Sequence, residues 1–71
     1  MPGWRVVNVD EEDVLNVRAE PFAEAPVVGR IPPGGRGVKP LGTCYGAWCR
    51  VRWLGHDGWV HKAYVAPDIA H

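Results

Sequence analysis

The 71-residue chain contains no serine, which excludes a serine nucleophile and every acyl-transfer mechanism built on one. It has no surplus of either charge: eight basic and eight acidic side chains give a formal net charge of zero. A neutral chain lacks the electrostatic footprint that nucleic acid or an anionic membrane requires. No apolar run approaches the roughly 20 residues of a membrane-spanning helix. The opening Met1-Pro2-Gly3-Trp4-Arg5 lacks the apolar region of a secretory signal. The chain is therefore expected to be cytosolic, or else a domain of a longer secreted protein. Gly34-Gly35-Arg36-Gly37 is not followed by the Lys-Ser/Thr pair and helix of a phosphate loop. Adjacent carboxylates occur only in Asp10-Glu11-Glu12-Asp13. That run lacks the ligand spacing of a calcium loop and reads as a solvated turn. So short a chain rarely encloses a catalytic pocket. The expectation is a protein that is not an enzyme and takes no cofactor or metal.

What is present points to a small β-protein. A hydrophobic content of 46% suffices for a globular fold. A chain of this length buries only about 60% of its unfolded surface, so an extra tie is expected. Nine glycines and seven prolines, spread along the chain, favour short strands between many turns. Trp4 to Val9 reads as a first strand. In Val14 to Arg18, Leu15 and Val17 alternate with Asn16 and Arg18, the pattern of a half-buried strand. Glu20 to Pro26 reads as a loop, with Phe22 laid over its inner side. Val27 to Ile31 is a strand, and Pro32-Pro33-Gly34-Gly35 reverses the chain. Gly37 to Leu41 is a strand whose Pro40 predicts an edge or a bulge. Thr43 to Trp48 reads as a loop bounded by Cys44 and Cys49.

Three of the four tryptophans fall between residues 48 and 59, in what reads as a hairpin. Its strands are Ala47 to Trp53 and Gly58 to Val60, joined by a turn at Gly55-His56-Asp57-Gly58. Val51, Cys49, Val60 and Trp59 are expected to face inward, and Arg50 and Arg52 to face water. His61 to Ala63 reads as a single turn, Tyr64-Val65 as a final strand stub, and the chain from Ala66 as a frayed tail. With five or six short strands and no helical periodicity, the class is all-β, a small barrel or sandwich.

Several of these segments resemble bacterial SH3 domains. Leu15-Asn16-Val17-Arg18 with Pro21 resembles the family's Leu-Asn-Val-Arg-x-x-Pro opening. Val28-Gly29 with Ile31, Pro32 and Gly34 fits its next strand and turn. Trp48, Val51 and Arg52, then Gly58-Trp59-Val60 and Tyr64-Val65, fit its closing signatures. The resemblance covers roughly Val6 to Val65 and implies a small, partly open SH3-like β-barrel; the chain is expected to form one domain over residues 4–66, with flexible ends at 1–3 and 67–71. It also implies a non-catalytic module of bacterial surface, periplasmic or secreted proteins. In related eukaryotic domains, residues matching Trp48 and Tyr64 line a groove for polyproline helices. Here His61 stands where that pattern has a groove proline, which counts against proline-motif recognition.

Cys44 and Cys49 enclose four residues, the right length to close a hairpin end with a disulfide. Such a bridge would contribute about 2 kcal/mol by the chain-entropy relation and would fix the direction of Trp48. The resemblance agrees, since some bacterial SH3 domains carry Cys-x₄-Cys at this hairpin. Two alternatives remain open at this point. His56 and His61 could join the cysteines around zinc, although the spacing departs from the usual one. A free thiol beside Arg50 could be reactive, or act with a histidine as a catalytic pair. A bridge would imply an oxidising compartment and hence an extracytoplasmic, periplasmic, cell-surface or secreted location.

The expected function is a monomeric binding or targeting module for a short peptide, peptidoglycan or a neighbouring domain. Its expected ligand-binding residues are Trp48, Tyr64, His61 and Arg50, with Phe22 or Glu20 opposite. Arg50 or Arg18 would pair with ligand carboxylates. The alternatives are a structural spacer and a nucleic-acid or ribosome-binding barrel. The latter would use Arg50 and Arg52 with Trp48 and Trp53; the neutral charge counts against it.

Overall fold

The computed structural model describes residues 3–68. Alternating burial along each segment sets which residues face inward. In β2 (Leu15–Arg18) Leu15 and Val17 are buried, while Asn16 and Arg18 are half-covered. β3 (Val27–Ile31) turns Ile31 inward, and β5 (Trp48–Trp53) and β6 (His56–His61) bury Cys49, Val51, Gly58 and Val60. With β4 (Lys39–Tyr45) these form a five-stranded antiparallel sheet in the order β3-β2-β6-β5-β4. A second sheet pairs β1 (Trp4–Val6) with β7 (Val65–Pro67), and a 3₁₀ turn at Lys62–Tyr64 leads into β7. The fold is all-β and SH3-like, and the barrel is not closed.

The core is aliphatic and mostly valine: Val6, Leu15, Val17, Ile31, Val38, Val51 and Val60, with Trp4, Val9, Trp53 and Val65 packed around it. β-Branched side chains suit such a pleated interior. Each fully buried one contributes about 1.5–3 kcal/mol. The terminal pair is stitched to the larger sheet. Trp4 N–H donates to the Val38 carbonyl at 2.6 Å, Val38 N–H donates back at 3.1 Å, and Val6 N–H donates to Gly35 at 2.8 Å.

Several boundaries differ from the sequence expectation, each for a local reason. Among the described residues seven strands form, rather than the expected five or six. β1 ends at Val6 because Asn8, at φ 59°, turns the chain, and Val7 N–H bonds the Tyr64 carbonyl instead. Thr43 and Cys44 belong to β4, not to a loop, because the reversal needs only Gly46 and Ala47. Pro40 lies on the edge strand β4 where the register shifts between Pro40 and Cys44. The β5–β6 turn is Leu54-Gly55, at φ 49° and 81°, rather than Gly55 to Gly58. Two consecutive positive φ values suit the right-handed twist of a tight hairpin. Asp57 is thereby freed to pair with Arg52 across the strands. Phe22 is 45% exposed, and Ala25 fills the space beneath the loop.

The chain beyond Ala66 is also not frayed at its start. Ala66 and Pro67 pair with Arg5 and Trp4, and Asp68 N–H donates to the Gly3 carbonyl at 2.8 Å. The Asp68 carboxylate accepts two bonds from Arg36, both 2.7 Å. The expected flexible positions 1–2 and 69–71 lie outside the described residues.

Two predictions follow from these contacts. A Cβ on Gly58 would meet a Val17 methyl and lie 2.7 Å from the Arg18 carbonyl oxygen, where β2 crosses β6. Gly58→Ala is therefore expected to destabilise the fold by about 1–3 kcal/mol in urea titration; an unchanged midpoint would contradict this packing. Hydrogen bonds from Arg36 hold the Asp68 carboxyl below its ordinary value of 3.8. A lowered native pKa stabilises the fold above the unfolded carboxyl's pKa, and that gain is lost as pH falls through the native pKa. Asp68→Asn should lower Tm at neutral pH, with the difference from wild type closing as pH falls through and below the ordinary carboxyl range.

Candidate functional site

The β5–β6 register divides the hairpin into two faces. Cys49 pairs with Val60 and Val51 with Gly58 on the inner side; Trp48 pairs with His61, Arg50 with Trp59 and Arg52 with Asp57 on the outer side. Cys49, Val51 and Val60 thus face inward as expected, and Arg50 and Arg52 face out. Trp59 does not face inward. Gly58 and Val60 occupy the inner positions, so parity sends Trp59 outward. Its ring centroid there lies 5.7 Å from that of Tyr45. The alternation through Gly58-Trp59-Val60 was the signal for this. Trp53 follows the inner parity: it packs against the core and donates its indole N–H to the Arg36 carbonyl at 3.1 Å.

Cys44 and Cys49 form a disulfide between directly facing residues of β4 and β5, with Cα atoms 4.0 Å apart. It closes the base of the Tyr45-Gly46-Ala47-Trp48 reversal. The same reversal is held from the other side, where Lys62 N–H donates to the Ala47 carbonyl at 2.8 Å. Both sulfurs are engaged, so neither can serve as a zinc thiolate or a nucleophile. His56 and His61 occupy opposite ends of β6, about 16 Å apart at the rise of an extended strand, so they do not converge on one ion. Among the described residues no three His, Cys, Asp or Glu side chains gather in a metal-sized cluster.

His61 caps the 3₁₀ turn, its Nδ1 accepting the Ala63 N–H at 3.2 Å. That bond holds the imidazole between two aromatic rings. Its centroid is 5.4 Å from Trp48, edge to face, and 5.6 Å from Tyr64. The three rings form a continuous row along one wall of an open groove of about 370 Å³. Across it lie the outer side of β2, with Asn16 and Arg18, and the loop after β1, with Asp10 and Asp13; Val9, Val14 and Leu15 also line it. Asn8 ties that loop to the aromatic wall by donating its amide to the Ala63 carbonyl at 3.1 Å. Arg18 is steadied by a 3.1 Å bond from Nη1 to the Ala25 carbonyl.

Of the expected binding residues, the structure gathers Trp48, His61 and Tyr64 in this groove, along with Arg18. Arg50 is not among its lining residues. It stands further along the outer face, opposite Trp59, with a guanidinium nitrogen 3.9 Å from Asp57. Asp57 already receives two bonds from Arg52, at 2.5 and 3.0 Å, and these hold its carboxyl below the ordinary value. Phe22 and Glu20 do not line the groove. The residues that sequence reasoning missed are Asn8, Asp10, Asp13 and Asn16. The acidic run read as a plain solvated turn, and only the path of the β1–β2 loop brings it beside the rings.

A family model described as Bacterial SH3 domain matches residues 13–66. The chain belongs to the bacterial SH3 domain family. No match is found among the curated proteins. Bacterial SH3 domains are in general non-catalytic modules that bind proteins or cell-wall components. In this bacterial SH3 domain, no helix among the described residues is long and apolar enough to cross a membrane.

The disulfide yields a test of its own. Reduction is expected to lower the unfolding free energy by about 2 kcal/mol, measured by urea titration with and without reductant. Equal midpoints would mean that the bridge closes no loop that matters to the unfolded chain.

Proposed function

We propose that this bacterial SH3 domain is a binding module whose groove takes a short peptide, such as a cell-wall stem peptide. The observation that carries this is the Trp48-His61-Tyr64 row facing the polar β2 and β1–β2 loop across one open cleft. Aromatic rings give a large contact area at low entropic cost, and here their supports are already in place. The disulfide and the Ala47–Lys62 bond fix Trp48, and the Ala63 N–H fixes His61. Such preorganisation lowers the ordering cost of binding. The disulfide also supports an extracytoplasmic setting, where such bonds persist. A nucleic-acid reading would use the outer face further along, where Arg50 and Arg52 flank Trp59 and Tyr45, but there Asp57 offsets one of the two charges.

Sedimentation with purified peptidoglycan tests the proposal. Wild type is expected to be retained above a control protein, and Trp48→Ala to lose at least about tenfold in affinity, as a central aromatic anchor does. No retention of wild type overturns the cell-wall reading. A salt-dependent shift with RNA would move the function to the arginine face.

A further inference from the structure

The charges of the groove favour a cation, although carboxylate recognition through Arg50 or Arg18 was the sequence expectation. Arg50 stands outside the groove, and Arg18 spends one of its N–H groups on the Ala25 carbonyl. Two carboxylates, Asp10 and Asp13, face this single cation in the lining. The ion pairs among the described residues are Arg36–Asp68, Arg50–Asp57 and Arg52–Asp57. None engages Asp10 or Asp13. Asp13 Oδ1 accepts the Val14 N–H at 2.8 Å, and Asp13 N–H bonds the Asp10 carbonyl at 2.9 Å. The two acids are thus carried on one tight, internally bonded turn. Glu11 and Glu12 sit on the same turn and add to the negative potential there.

An aromatic wall facing carboxylates that have no ion-pair partner among the described residues is a setting for an ammonium group. Ring faces attract a cation through their quadrupole, and the carboxylates supply charge-assisted acceptors. We infer that the groove selects a short peptide presenting a free primary ammonium, held between the Asp10–Asp13 turn and the Trp48-His61-Tyr64 row. This inference rests on the proposed peptide-binding role and narrows it. Acylation removes the charge of an amine and turns it into a neutral amide. A peptide whose amine has been consumed by cross-linking would therefore bind more weakly than one whose amine is free, and the domain would distinguish the two.

Titration calorimetry with a lysine-containing stem tetrapeptide, compared with the same peptide acetylated on every amine, separates this inference from the one beneath it. The free-amine peptide is expected to bind at least about tenfold tighter, with the advantage shrinking as salt rises. In Asp10→Asn/Asp13→Asn, where an amide oxygen can still accept the Val14 N–H, the two peptides should bind alike. Equal binding of both peptides to wild type overturns the ammonium inference and leaves the groove reading standing. Binding of neither overturns both. If the double variant is unfolded by circular dichroism, the acetylation comparison decides alone, because it changes only the ligand.

Discussion

The β5–β6 hairpin, closed by Leu54 and Gly55 at positive φ, sets the register from which both faces of the domain follow. With Trp53 opposite His56, odd-numbered residues of β5 meet even-numbered residues of β6 on the core side. Val51 and Val60 enter the core, and Gly58 leaves room for Val17 and β2. The same register places Trp48 directly opposite His61 on the outer side. A one-residue slip would exchange the faces, exposing the valines and dispersing the aromatic row. Core and groove are therefore two consequences of one turn.

So small a core needs support from its ends, and some of these supports adjoin the groove. The β1–β7 pair, the Arg36–Asp68 ion pair and the Trp4–Val38 bridge fasten the termini across the larger sheet. The disulfide fastens the β4–β5 reversal. Val7 bonds the Tyr64 carbonyl and Asn8 the Ala63 carbonyl, which hold the loop after β1 against the 3₁₀ turn. An exposed ion pair in water is weak, so the ties that hold the groove's walls are the disulfide beside Trp48 and the Val7 and Asn8 bonds to the 3₁₀ turn.

Much of this was legible in the chain. The Leu15/Val17 alternation, the Pro32 to Gly35 reversal and the facing cysteines are local features, and local spacing is what a sequence displays. Trp48, His61 and Tyr64 were named through a family pattern that already encodes their proximity. What could not be read is what depends on distant segments. Arg50 and Trp48 both have outward parity in one strand, yet only Trp48 meets the β1–β2 loop. The acidic run gains its place through a loop path that no periodicity records. The turn was misplaced because Asp57-Gly58 is a good hairpin pair in isolation, whereas Arg52 and the core draw Asp57 and Gly58 into the strand.

In the proposed mode of binding, one surface meets ligand while its neighbour on the same face remains bare. Nuclear magnetic resonance titration of the isotope-labelled domain with a soluble peptidoglycan fragment tests this most directly. The predicted result is saturable shifts at the Trp48 indole, His61, Tyr64 and residues 8–16, with Tyr45, Arg50 and Trp59 unmoved. Shifts centred on Arg50 and Trp59, or none at any concentration, would contradict it.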